Sequence, residues 1–308
     1  MTRGYRIGAD ENGLGARLGP MIVTAVLAEV SDTGTRTLTH KLRGRIAEDL
    51  DDSKRLVAHG NVALGEAWAR AVGGLDAESP RDLLSRISLE GEAALRAPCP
   101  KHVEQQCWSV EGERFVADAD LLARTRGHVA TLEKRGVRLL GVRTSVLCTQ
   151  RLNDERERGH NRFVADLHAM ERLILALREQ AGSDVSAVCG KVGGIADYSR
   201  FFGPLSNRLH AVLEQKREKS AYRFPGLGEV CFLRDADASD PLVMLASLVG
   251  KWVRELLMDR IVRFYDPEAA PSGYNDPVTA RFVDATKLSR KRRKVPIGCF
   301  ERARDGDG

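Results

Sequence analysis

Residues 5–30 read Tyr5-Arg-Ile-Gly-Ala9-Asp10-Glu11-Asn12-Gly13-Leu14-Gly15-Ala-Arg-Leu-Gly19-Pro20-Met21-Ile-Val-Thr-Ala-Val-Leu-Ala-Glu-Val30. The first part alternates apolar and polar residues and ends in two adjacent carboxylates. The last part is rich in β-branched residues. Two such runs joined by a glycine-rich turn predict a β-hairpin. Neighbouring strand residues point to opposite faces, so Asp10 and Glu11 can serve one ion only where the chain turns. The glycines of the turn let backbone amides approach a phosphate or a sugar.

Outward from this hairpin, the pattern alternates between helix and strand. Residues 56–72 predict a helix weakened by Gly60 and Gly65, and 136–147 predict a strand. Residues 161–180 carry Phe163, Leu167, Met170, Leu173, Ile174 and Leu177 on one helical face. Short strands are expected at 186–188 and 229–234. Asp240-Pro241 then opens a long helix to about Tyr265, with Asp as cap and Pro in the first turn. The order predicts an α/β fold: a mixed sheet of about five strands with helices on both sides, and a helical C-terminal portion. Residues 97–120 read as an inserted loop.

Composition supports a folded, water-facing chain. Of 308 residues, 43% are hydrophobic and 30% charged, with a net charge of +5. This excludes an extensively disordered chain. No apolar run approaches the roughly 20 residues of a membrane span. The opening Met1-Thr-Arg-Gly-Tyr-Arg lacks the apolar centre of a signal peptide, so the expectation is a cytoplasmic protein without membrane contact. The mild positive charge permits a polyanionic partner.

Four stretches, in order, resemble the type 2 ribonuclease H (ribonuclease HII) family. Asp10-Glu11-Asn-Gly13-Leu14-Gly15 with Gly19-Pro20 is similar to its Asp-Glu…Gly-Arg-Gly…Gly-Pro opening. Asp52-Ser53-Lys54 is similar to its Asp-Ser-Lys. Asp235-Ala-Asp237 through Pro241, Ala246-Ser247 and Lys251 resembles the Lys-Ala-Asp…Pro…Ala-Ala-Ser-Ile-x-Ala-Lys of archaeal and eukaryotic members. Ser272-Gly273-Tyr274-Asn-Asp276-Pro277 resembles their Ser-Gly-Tyr-Pro-x-Asp-Pro. The resemblance implies a ribonuclease H-like domain over residues 1–285, and a basic C-terminal tail over 286–308. It implies an endonuclease that hydrolyses the RNA strand of RNA/DNA hybrids, or cuts at ribonucleotides in DNA, with two Mg2+ or Mn2+ ions. Asp10, Glu11 and Asp237 would be three of four metal carboxylates. Gly13, Gly15, Lys54 and Lys251 would face the substrate, and Tyr274 would pack on the ribose.

The departures from that pattern bear on activity. The family's third carboxylate falls in Ser186-Ala-Val-Cys189-Gly190-Lys191, at Cys189 or at Gly190 according to the anchor, and neither is an acid. Thiolate is a poor substitute for carboxylate on Mg2+. Leu14 stands where the family has arginine, and Asp235 where it has lysine. The alternative is therefore a catalytically inactive relative that binds nucleic acid or a protein partner through the same groove. Were Cys189 the replaced acid, alternation would send Lys191 among the carboxylates; the preferred expectation is a solvated turn lysine.

Two further features stand apart. Cys99, His102 and Cys107 are three possible zinc ligands, with Cys148 or His128 as a distant fourth, but a loop of free thiols is the simpler expectation. Residues 287–294 hold six basic side chains in eight. They could neutralise phosphates or form a solvated extension.

Overall fold

The computed structural model describes residues 3–57 and 59–303. The opening run forms β1 (Arg3–Asn12) and β2 (Met21–Ser31), paired antiparallel from Arg3–Ser31 to Asn12–Ile22. Gly13 and Gly19 hold φ of +90° and +76°, which makes the turn between them a glycine turn. The remaining strands are β3 (Val137–Leu147), β4 (Val185–Gly190), β5 (Ala211–Gln215), β6 (Lys219–Phe224) and β7 (Gly228–Leu233). The seven strands form one mixed sheet ordered β3-β2-β1-β4-β7-β6-β5, with β1–β4 and β4–β7 parallel. The expected five strands thus become seven. The additional pair is the β5–β6 hairpin at one edge.

Helices cover both faces, as expected. On one side Ile22, Val26 and Val30 pack against the helix Pro241–Tyr265, through Leu245, Leu248, Val249 and Trp252. Asp240 caps that helix by accepting from the amides of Leu242 and Val243. Its first turn lies directly on β1. A Cβ on Gly8 would come within 2.4 Å of the Leu242 backbone, so only glycine allows this approach. On the other side Ile7, Ala9, Val23 and Leu27 meet the helix Arg162–Ala181 through Leu167, Met170, Leu173 and Leu177. No helix among the described residues is long and apolar enough to cross a membrane.

Local differences from expectation have local causes. The helix at 56–72 starts late, as Ala63–Gly73, after a separate turn Ser53–Leu56; Gly60 between them has a φ of +79°. Residues 97–120 hold only the short turn Gln106–Trp108 and the beginning of the helix Ala119–Lys134. The basic run is no loose extension. Most of it completes the helix Pro277–Arg292, and Arg290 is buried over the Phe300 ring, 3.8 Å from its centroid. Residues 304–308 of the expected tail lie outside the described residues.

Glu171 gives the fold a pH dependence. It is fully buried in the helix Arg162–Ala181 and accepts from the amides of Gly203 and Leu205 at 3.1 and 2.9 Å. Burial outweighs those bonds and pushes its carboxyl up to about 7. A carboxyl raised on folding favours the folded state when protonated. Stability is therefore expected to fall by about 3 kcal/mol as pH rises from about 4.5 to about 7. Urea midpoints on either side of that window, in the native chain and in Glu171→Gln, measure it; the variant should lose this part of the dependence.

Candidate active site

The end of β1, the Ser53–Leu56 turn and one face of the long helix enclose a single cleft of about 490 Å³. Asp10, Glu11, Gly13, Gly15, Lys54, Asp237, Lys251 and Tyr274 all line it. The structure thus brings together residues that the sequence separates by more than 200 positions.

Each arrives for a local reason. Asp10 lies on the face of β1 that meets the long helix. It is 8% exposed and accepts a hydrogen bond from Ser247, whose Oγ lies 3.0 Å from that of Ser53. Glu11 is the next residue, at the point where the strand gives way to the turn, and its Oε2 accepts from the Leu14 amide at 3.3 Å. Asp237 sits in the helical turn Ala236–Ala238, which follows Asp235 in the left-handed conformation. Asp240 is removed from the cleft by its cap role and its 2.9 Å ion pair with Arg6. Lys54 reaches across to Asp237, Nζ to Oδ2 2.9 Å, with most of its side chain exposed.

Burial pushes the Asp10 carboxyl well above the usual range, and the charges of Glu11 and Asp237 push it further. Burial likewise raises Glu11, against the Leu14 amide and Lys54. The bond to Asp237 holds Lys54 charged. Acids that raise one another favour a bound cation. Carboxylate oxygens suit Mg2+ or Mn2+ by type. Asn12 also lines the cleft, but its Oδ1 is buried beside Gly250 of the long helix without a hydrogen-bond partner. As placed, no three His, Cys, Asp or Glu side chains among the described residues are arranged to hold one ion. The donor types therefore suit a divalent metal, while their placement does not assemble a site for one.

The register sends Cys189 and Gly190 to opposite faces of the sheet. Ala9 pairs with Cys189, and both belong to the apolar core against the Arg162–Ala181 helix. Cys189 is fully buried there, so it does not face the cleft acids. Gly190 does: a Cβ built on it would lie 2.6 Å from Asp10 Oδ1. Lys191 turns away from the acids. Its Nζ donates to the Lys216 carbonyl at 2.9 Å and to Ser220 Oγ at 2.5 Å, so it ties down the β5–β6 hairpin.

No family model and no curated protein matches the chain. Solved structures do. A chain of the PCNA:RNase HII complex from Archaeoglobus fulgidus matches at 17% identity and a TM-score of 0.43, over 98% of each chain. The ribonuclease H2 from Pyrococcus horikoshii matches at 15% and 0.46, over 96% of this chain and 92% of that one. Bst-RNase HIII in complex with Mn2+ matches at 11% and 0.46, over 98% and 67%.

Several residues of the cleft carry no motif. Arg254, 2% exposed, pairs with Glu255 at 3.0 Å, and Glu255 meets His59 at 2.8 Å. The Arg254 guanidinium lies 4.5 Å from the centre of the Tyr274 ring, holding the tyrosine over the cleft. Ser247, Lys251 and Arg254 follow a four-then-three spacing on one helical face, a signal available in the sequence. Arg302 had no such signal. It donates to the carbonyls of Gly13 and Gly19 at 2.6 and 2.9 Å and so fixes the glycine turn from beneath. Asp166, buried in the helix behind the sheet, has an unpartnered Oδ1. Burial, then the charges of Glu11 and Asp10, push its carboxyl well up.

Proposed function

We propose that this cleft binds RNA/DNA hybrid, or DNA carrying a ribonucleotide, and cuts the RNA strand slowly with the help of a divalent ion. The observation that carries the reading is the convergence of Asp10, Glu11 and Asp237 with Lys54, Lys251 and Tyr274 on one cleft. The motif resemblance to type 2 ribonuclease H supports it.

Asp10, Glu11 and Asp237 would hold Mg2+ or Mn2+, which supplies a polarised water and offsets charge on the phosphate. Lys54 releases Asp237 and turns its exposed ammonium to a phosphate. The amides of the glycine turn approach the same backbone, since Gly15 has open space around it. Tyr274, 42% exposed and backed by Arg254, offers a ring face to the ribose, where the 2′-hydroxyl marks RNA. Lys251 stays inside, donating to the carbonyls of Ser53 and Val57, and thereby sets the position of Lys54.

Incubation with a hybrid duplex and with DNA holding one ribonucleotide, in Mg2+ and in Mn2+, tests this. Slow cleavage is expected, abolished by Asp10→Asn. Tyr274→Ala is expected to weaken hybrid binding about tenfold. A second reading, a non-catalytic binder of nucleic acid, is favoured by the bare Gly190 opposite Asp10. Salt-sensitive binding with no cleavage at any protein concentration selects it. Absence of both binding and cleavage refutes both readings.

A further inference from the structure

Among the described residues His59 is the one imidazole that lines the cleft, and no motif accounts for it. It follows the Ser53–Leu56 turn and precedes Gly60. Lys251 fastens the chain just ahead of it, by donating to the carbonyls of Ser53 and Val57. The His59 Nδ1 lies 2.8 Å from Glu255 Oε2. Glu255 is buried, and its other oxygen accepts from Arg254 Nη1 at 3.0 Å. The imidazole itself is 44% exposed. With Nδ1 turned to a buried carboxylate, Nε2 lies on the far edge of the ring, where it bonds to no other described residue.

The other cationic groups lining the cleft are engaged. Lys54 holds Asp237, and Lys251 holds its two carbonyls. Arg254 divides itself between Glu255, the Ser272 carbonyl and the Tyr274 ring. Among these described residues, His59 alone offers a donor without first breaking a bond. Its place also differs from that of the acids. Ser247 bonds Asp10, and Glu255 follows eight residues later on the same helix, about 12 Å along its axis. A strand laid over the acids would therefore meet His59 at another of its phosphates. A protonated imidazole gives a phosphate oxygen a charge-assisted bond.

We propose that His59, aimed by Glu255, grips a backbone phosphate of the bound nucleic acid, next along the strand from the phosphate at Asp10 and Glu11. This rests on the reading of the cleft as a nucleic-acid site. Glu255 is a positioning residue: it fixes the rotation of the ring and leaves the Nε2 proton to the phosphate. Lys251, Arg254, Glu255 and Asp259 of the long helix surround the ring, with Lys54 from its own segment, and Glu113 and Arg263 stand beyond Asp259. Histidine loses its charge as pH rises through neutrality, whereas a backbone phosphate keeps its own, so the contact weakens with rising pH.

The full chain is titrated into a labelled RNA/DNA hybrid, in chelator and without divalent ions, from about pH 5.5 to about pH 8. Fluorescence anisotropy should show affinity falling across this range. Part of the fall belongs to Asp10 and Glu11, whose burial-raised carboxyls also lose protons, and persists in every variant. His59→Ala should weaken binding about tenfold at the acid end and less than about twofold at the alkaline end. His59→Arg, charged throughout, should keep the acid-end affinity and lose the histidine's share of the fall. Glu255→Gln should weaken acid-end binding severalfold; should it fail to fold, the two variants of the half-exposed His59 decide. His40, exposed at the end of the helix Asp32–Thr39, is the control, and His40→Ala should match the native profile. An unchanged profile in both His59→Ala and His59→Arg overturns this proposal and leaves the reading of the cleft in place. A native chain that binds no hybrid at any pH defeats that reading and the proposal together.

Discussion

Gly190→Asp is expected to raise the rate of RNA-strand cleavage by on the order of 100-fold or more, because a metal-held phosphate is worth several kcal/mol in the transition state. A side chain at this position would face Asp10, with Cβ 2.6 Å from Oδ1. The contact is with the end of a side chain, so Asp10 can rotate away from it. The new carboxylate adds a fourth charge to a cleft whose acids already raise one another, so the gain should appear only with Mg2+ or Mn2+ present. Cys189→Asp should do the reverse. Its side chain would enter the fully buried core on the far side of the sheet, where an unpaired carboxylate costs several kcal/mol. Cleavage rates and Mn2+ affinity of the two variants, with urea unfolding as the control, separate the positions. Equal or lower activity and unchanged Mn2+ affinity in Gly190→Asp would mean that the cleft is not a metal-dependent nuclease site.

The largest expected loss of stability lies in the inserted loop. Glu113 is bidentate to Arg260, at 3.0 Å twice, and both side chains are buried, at 4% and 0% exposure. Arg263 adds a longer contact at 3.4 Å. Glu113→Ala leaves the Arg260 charge buried with no counter-charge, and should cost about 3–5 kcal/mol. Arg263→Ala removes a partner that is a third exposed and should cost under about 1 kcal/mol. Urea midpoints at constant slope measure both. A loss below about 1 kcal/mol in Glu113→Ala would show that the loop contributes little to the fold.

How much of this was readable in advance depended on how local each signal is. Val23, Val26 and Val30 announce β2, and Asp240-Pro241 announces the long helix, because strand propensity and capping act within a few residues. The β5–β6 hairpin escaped notice because Ala211–Gln215 lies mostly exposed at the sheet edge and carries no apolar alternation. The helix Pro277–Arg292 was hidden by its own lysines and arginines, which read as a tail although Phe282, Val283 and Thr286 face inward. In the cleft, Asp10, Glu11, Lys54, Asp237 and Tyr274 were legible as motifs. The choice between Cys189 and Gly190 was not, since it depends on the pairing of Ala9 with Cys189. Nor was Arg302 legible. It reaches its place only because the chain returns to its beginning.

That return has a mechanical side. Arg302 grips the carbonyls of Gly13 and Gly19, Arg162 donates to those of Leu14 and Ala16, and the amides of Arg17 and Leu18 bond to the Gly273 carbonyl. Three segments distant in sequence thus tether the turn beside the acids, so a change far along the chain can loosen the cleft without touching it.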